Sequence, residues 1–166
     1  MPLITPDDLR KQLGADLPGA VASVHPVVEG LPAFLETGDL LIEADFLPRV
    51  AVYVRDVLGY TYLSDIVAVD YLDYQLFELV YRFYHLEGGR DLVIKVRVPR
   101  DNPSVPSLTP FWPGADLNER EAFDLFGITF TGHPYLKRIY MWDELDGHPM
   151  RKDFPKQGDK YLGDES

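Results

Sequence analysis

The chain contains no cysteine. That excludes disulfides, thiolate zinc sites, a cysteine nucleophile and cysteine-ligated iron–sulfur clusters held by this chain. Long apolar runs are missing as well. The longest stretch without a charged residue, residues 102–115, carries four prolines and is far shorter than the ~20 apolar residues of a spanning helix. The N-terminus, Met1-Pro2-Leu3-Ile4-Thr5-Pro6-Asp7-Asp8, has no basic region leading into an apolar core, so no secretory signal is read there. There is no G-x-G-x-x-G, no P-loop and no Gly-x-Ser-x-Gly elbow. The four histidines, His25, His85, His133 and His148, form no H-E-x-x-H pair. A zinc site needs three or four convergent ligands, so no metal is assigned. A self-sufficient enzyme is poorly supported.

Positive charge is also scarce. Lys and Arg number 16 against 27 Asp and Glu, a net charge of −11. Such a surface is repelled by phosphate backbones and anionic lipids, so nucleic acid is not expected as a partner. The basic residues are unevenly spread. Residues 1–86 hold 5 of them and residues 87–166 hold 11, which points to a partner-facing surface in the C-terminal half. What is present is ordinary globular material: 46% hydrophobic and 26% charged residues over 166 positions, enough for one domain with a real core.

Period and punctuation predict the elements. Thr5 caps a helix over Asp7–Leu17, with Pro6 in its first turn. Ala20–Val28 reads as a strand with a bulge or edge at Pro26, and residues 38–43 as a second short strand. Asp45 reads as the N-cap of a helix along Phe46, Val50, Val54 and Val57, stopped at Gly59. Thr61–Val69, Leu76–Leu86 and Leu92–Val98 read as strands. The last two are joined by the hairpin connection Glu87-Gly88-Gly89-Arg90-Asp91. This is an α+β, two-layer sandwich of a mixed or antiparallel sheet with helices on one face.

The prolines of residues 99–114 predict an irregular segment. Asp116, with Glu119 three residues on, reads as a capping box opening a helix to Phe126, with a stop at Gly127. Ile128–Phe130 adds a short strand. The period then fades, so residues 1–139 form the domain and residues 140–166 an extended, loop-rich C-terminal arm.

The helix at 116–126 is the densest charged and aromatic element. Glu119 and Glu121 lie about 200° apart on it and face opposite sides. Glu121 and Asp124 are i,i+3 neighbours, and a stand-alone hydrolase using that carboxylate pair is the enzymatic reading. Arg120 and Asp124, at i,i+4, are expected to pair, giving a salt-bridged helix instead. The run Arg151-Lys152-Asp153-Phe154-Pro155-Lys156 is either a solvated tail or an arm laid on a protein partner.

Glu119-Arg120-Glu121, Asp124-Leu125-Phe126, His133 and Lys137-Arg138-Ile139 together resemble the signature of the 30-kilodalton, C-type subunit family of respiratory complex I (NADH:quinone oxidoreductase, NDH-1). Flanking pieces agree: Pro99-Arg100-Asp101-Asn102-Pro103, Gly132-His133-Pro134 and Arg151-Lys152-Asp153-Phe154-Pro155. The specific part spans about residues 99–155, with the signature region at 99–139. One departure is Leu117, where the resemblance implies a tryptophan in many relatives; that aromatic contact is then lost or supplied by Trp112.

The resemblance implies a non-catalytic peripheral-arm subunit packed against the quinone-site (D-type) subunit, near the B-type and I-type iron–sulfur subunits. FMN, iron–sulfur clusters and quinone would belong to partner subunits, and no cofactor to this chain. Membrane contact would come only through the complex, on the cytoplasmic side of a bacterial membrane or the equivalent side of a thylakoid. An equivalent subunit of a ferredoxin-dependent photosynthetic NDH-1 or a membrane-bound hydrogenase is the alternative. Glu119, Arg120, Glu121, Asp124, His133, Lys137, Arg138, Arg151, Lys152 and Asp153 are the expected interface residues.

Overall fold

The computed structural model describes residues 4–22 and 39–155. Their order is α1 (Pro6–Asp16), β1 (Leu40–Ile42), α2 (Leu47–Asp56), β2 (Tyr62–Tyr71), β3 (Leu76–Tyr84), β4 (Leu92–Pro99), β5 (Ser104–Pro106), α3 (Ala115–Phe126) and β6 (Thr129–Thr131).

Alternation along β2, β3 and β4 builds the main sheet, whose strand order is β1-β4-β3-β2. β1 runs parallel to β4, and the other pairs are antiparallel. The register stacks side chains into cross-strand rows: Leu63-Phe83-Leu92, Ile66-Tyr81-Ile94-Leu40 and Ala68-Leu79-Val96-Ile42. These rows share one cluster with Leu9 and Leu13 of α1, Val50 and Val54 of α2, and Ala115 and Ala122 of α3. Each large side chain fully buried there stabilises the fold by about 1.5–3 kcal/mol. The result is the expected two-layer α+β arrangement with a mixed sheet.

Local chemistry explains most element boundaries. Thr5 Oγ1 accepts from the Asp8 N–H at 3.1 Å and caps α1, as its sequence predicts. Asp45 does not cap α2. Ala44–Phe46 forms a one-turn 3₁₀ helix, and Phe46 holds the N-cap position with no side-chain bond. Leu47, the first residue of α2, is fully buried, and the tight turn that seats it leaves Asp45 outside the capping geometry. Of the strand expected at 20–28, Val21 makes an antiparallel bridge to Ile42, and the part beyond Ala22 lies outside the described residues. So does His25.

The outward positions of β3 and β4 hold buried charge. Glu78 is only 2% exposed and accepts from Arg97 Nε at 2.8 Å, with Lys95 Nζ at 3.6 Å. The proline-rich segment is not wholly irregular. β5 pairs in parallel with β6 as a small second sheet. Pro106 is tolerated because a two-stranded sheet is all edge. This little sheet sets Ser107 and Leu108, which follow β5, under α3.

Candidate functional site

Glu119 does not complete a capping box. Gly114 is the N-cap of α3 and gives it no side-chain bond. Glu119 instead turns inward, fully buried. It accepts from the Ser107 hydroxyl at 2.6 Å and the Leu108 N–H at 2.7 Å. The Leu108 N–H requires an acceptor, while the Ser107 hydroxyl can either donate to the side chain or accept from it. Burial pushes its carboxyl up to about 7, against the pull of the two hydrogen bonds. The folded value thus lies above the ordinary 4.5. This stabilising contribution is complete below that ordinary value and is lost as pH rises to about 7. Glu119→Gln keeps both bonds, with Oε1 on Leu108 N–H and the amide on Ser107 Oγ. The variant is expected to flatten a stability decline of roughly 2–3 kcal/mol across that window. Thermal midpoints at pH 5 and pH 8 check this; an unchanged slope would refute it.

Arg120 also differs from expectation. It does not pair with Asp124. Its Nε donates to the Lys137 carbonyl at 3.1 Å and its Nη2 to the Arg138 carbonyl at 3.4 Å. The guanidinium lies 5.7 Å from the Tyr135 ring centroid, and its nearest carboxylate is Asp116 at 3.8 Å. Asp116 Oδ1 faces His133 Nε2 at 3.2 Å. His133 Nδ1 accepts from the Tyr135 N–H at 3.0 Å, so the ring proton sits on Nε2. Because Arg120 mainly holds carbonyls rather than buried carboxylates, Arg120→Ala is expected to cost the free chain only about 1–2 kcal/mol, read as a shift in the denaturant midpoint.

The other end of α3 is held more firmly. Asp124 is fully buried. Its Oδ2 accepts from three successive backbone N–H groups, of Ile139, Tyr140 and Met141, at 2.7–3.0 Å. Its Oδ1 takes Arg138 Nη1 at 3.2 Å. Burial pushes this carboxyl up, but the three N–H donors and the Arg138 guanidinium outweigh it, so its pKa lies below the ordinary carboxylate value. The last four carbonyls of any helix lack partners within it. Here Phe123 takes Gly127 N–H, Asp124 takes His148 Nδ1–H, Leu125 takes Met150 N–H, and Phe126 takes Arg151 Nε–H. Gly127 has φ +74°, and a Cβ there would collide with the His148 ring. Glycine both ends the helix and admits the segment that caps it.

That segment is clamped again at Arg100. Its Nε and Nη2 bind both oxygens of Asp70 at 2.8 and 2.9 Å. Its Nη1 and Nη2 bind both oxygens of Asp153 at 3.0 and 2.6 Å. Asp70 also accepts from the Lys152 N–H at 2.8 Å. Arg100 and Arg151 both lie over the Phe77 ring, at 5.4 and 5.1 Å. By its pattern alone, the segment after residue 140 has little reason to be ordered without partners. These contacts hold residues 138–153 on the body of the chain itself. Residues 156–166 lie outside the described part.

The ten expected interface residues therefore fall into groups. Glu119 and Asp124 are buried and bonded internally. Arg120, His133, Arg138 and Arg151 are partly buried and bonded internally. Glu121, Lys137, Lys152 and Asp153 are exposed. Glu121 and Asp124 form no acid–base pair: Asp124's oxygens are occupied, while Glu121 points outward with the Tyr140 hydroxyl at 3.4 Å. Arg100, the buried partner of Asp153, and Asp70, which shares that guanidinium, were not marked by sequence reasoning. The Pro99-Arg100-Asp101 flank of the signature was a signal for Arg100; Asp70 had none. Trp112 does not stand in at Leu117. Its indole N–H donates to the Thr61 carbonyl and its ring packs 5.4 Å from Phe83, while Leu117 is exposed.

This internal framework carries a surface. Leu117, Tyr135, Tyr140, Trp142 and Met150 are each more than half exposed. Tyr135 stacks with Arg120 and Lys137; the Tyr140 hydroxyl donates to Glu121 at 3.4 Å. Exposed aromatic side chains are the kind that protein interaction surfaces use as anchors. Among the described residues, no group of three or more His, Asp or Glu is placed to hold a metal ion, and no helix is long and apolar enough to cross a membrane.

Comparison with known proteins agrees with this geometry. Residues 40–160 match the family described as respiratory-chain NADH dehydrogenase, 30 Kd subunit. The C-type subunit of the NADH-quinone oxidoreductase of Moorella thermoacetica is 44% identical over 118 residues, covering 71% of this chain and 80% of that protein. A chain from the structure of the membrane-bound sulfane sulfur reductase, an archaeal respiratory membrane complex, matches with a TM-score of 0.67. Its identity is 25%, over 90% of this chain and 85% of that one. A trypsin-resistant fragment of Nqo5 matches at 0.50 with 36% identity, over 65% of this chain and 86% of the fragment.

Proposed function

The chain belongs to the respiratory-chain NADH dehydrogenase 30 kDa subunit family, and from that premise we propose that it is a structural subunit in the peripheral arm of an NADH:quinone oxidoreductase. It has no active site of its own. It supports electron transfer from NADH to quinone, coupled to proton translocation, by holding neighbouring subunits in place. The quinone-site (D-type) subunit is its main partner, with the B-type and I-type subunits nearby. FMN, iron–sulfur clusters and quinone are bound by partner subunits. The complex places the chain on the cytoplasmic side of a bacterial membrane or the equivalent side of a thylakoid.

The observation that carries this reading is the use of the signature residues. Asp124, Arg138, Glu119 and Arg120 hold the chain's own backbone rather than line a cleft with free reactive groups. A catalytic carboxylate would need a free oxygen within hydrogen-bond reach of a substrate. The framework instead presents aromatic side chains outward.

A second reading keeps the architecture and changes the electron donor. It is favoured by the match to the sulfane sulfur reductase chain over 90% of this one. Purification from mildly solubilised membranes tests both. The chain is expected to co-purify with quinone-site subunits, and the NADH-binding subunits travel with it only under the first reading. The pure chain is expected to carry no flavin, haem or cluster. A stoichiometric redox group on it, or its absence from any membrane complex, would end the proposal.

A further inference from the structure

Residues 141–155 fold into a groove of about 740 Å³. Its apolar lining is Met141, Trp142, Leu145, Pro149, Phe154 and Pro155. Arg151 and Lys152 complete the lining, and no acidic side chain is part of it. Asp153, next to Lys152 in sequence, is turned away onto Arg100. Asp143, Glu144 and Asp146 belong to the same segment, are exposed, and stand outside the lining. The lining itself presents only positive charge, in a chain of net charge −11.

The two cations are not equivalent. Arg151 is engaged with the Phe126 carbonyl and the Phe77 ring. Lys152 is anchored through its backbone N–H on Asp70. Its side chain is exposed and has no ion-pair partner among the described residues.

The groove is built rather than incidental. Arg138 Nη2 donates to the carbonyls of Leu145 and Gly147, both at 3.0 Å. The Met150 N–H is fixed on Leu125, and the Phe154 N–H on Arg151. Gly147 has φ +90°, and a Cβ there would come within 3.1 Å of the Phe154 ring. The walls are thus preformed, which lowers the ordering cost of binding. Trp142 of the lining is 58% exposed, and Met150, between Pro149 and Arg151 in sequence, is 56% exposed; both belong to the exposed set described above. Large side chains left this open suit a polypeptide better than a small molecule enclosed on all sides.

We infer that this groove seats a short segment of a neighbouring subunit that carries a carboxylate beside an apolar or aromatic anchor. The anchor lies between Trp142 and Phe154, and the carboxylate meets Lys152. The inference rests on the subunit reading above.

Its test uses the intact complex. Trp142→p-benzoylphenylalanine is introduced, the complex is purified and irradiated, and the cross-linked peptide is identified by mass spectrometry. The expected product joins Trp142's position to another subunit, within a few residues of an Asp or Glu. Lys152→Glu should lower its yield by roughly tenfold, Lys152→Arg should keep it, and changing the mapped carboxylate to lysine should restore it in the Lys152→Glu background. Cross-links to residues 156–166 of this chain, to lipid, or to a segment without a carboxylate would overturn the inference. So would indifference to Lys152→Glu. Absence of the chain from the complex would refute the subunit reading itself; presence with any of the contrary cross-links would refute the groove alone.

Discussion

Asp124→Ala is expected to lower the stability of the chain by about 3–5 kcal/mol, the cost of removing one member of a buried, hydrogen-bonded charge pair. The reasoning is local. One oxygen takes three successive N–H groups, and the other takes Arg138. Alanine leaves all four donors without an acceptor in a site where Asp124 itself is fully buried, and each orphaned donor carries a desolvation cost. The loss also frees residues 138–141, and with them the segment that caps α3. Total stabilities of about 5–15 kcal/mol are usual for such domains, so much of the protein should fail to accumulate. A urea titration reads the loss. A shift under about 1 kcal/mol would show that the contacts contribute little.

Arg100→Lys is expected to cost about 3 kcal/mol, although charge is retained. A guanidinium can present paired N–H groups to two carboxylates at once; an ammonium is a point charge. Lysine would leave Asp70, only 4% exposed, partly unsatisfied. Asp153 is half exposed, so Asp153→Asn should cost about 1 kcal/mol at most. The difference between the two variants separates the buried half of the clamp from the exposed half. Equal small losses would contradict this ranking. Acid should expose the same groups. Burial pushes Asp70 up, but Arg100 and the Lys152 N–H hold it below the ordinary value, as the backbone donors do for Asp124. Their contribution is complete above the unfolded value near 3.8 and is lost as pH falls through the folded values. Acid unfolding should therefore begin below about pH 4, beneath the window of the Glu119 effect and with the opposite slope.

The sheet was legible because its signals are short-range. Period-two patterning placed β2, β3 and β4, and Gly88-Gly89 placed the turn between the last two. Thr5 and Gly127 punctuated helices where their chemistry says they should. The site was legible only in part, because its bonds join residues distant in sequence. Asp-x-x-Glu at 116–119 has the spacing of a capping box, yet the Ser107 and Leu108 donors brought in by β5 outcompete the helix N-terminus for Glu119. Arg120 and Asp124 have the spacing of an ion pair, yet Asp124 meets a stronger set of donors 14–17 residues away. Asp70 and Asp153 meet on Arg100 across separations of 30 and 53 residues. No local pattern encodes such a meeting. The resemblance marked the residues of this framework without indicating that many of them face inward.

The central claim is that the signature helix holds its own subunit together and does no chemistry. The most direct measurement is quinone-reductase turnover per assembled complex in membranes carrying Arg120→Ala, alongside the amount of complex assembled. Arg120 supports the backbone of residues 137–138 and the Tyr135 ring, and a loss of about 1–2 kcal/mol is enough to change abundance several-fold. The predicted result is less assembled complex, with turnover per complex close to normal. Normal assembly with abolished turnover would contradict the account and assign the Glu119-Arg120-Glu121 helix a direct part in proton or electron transfer.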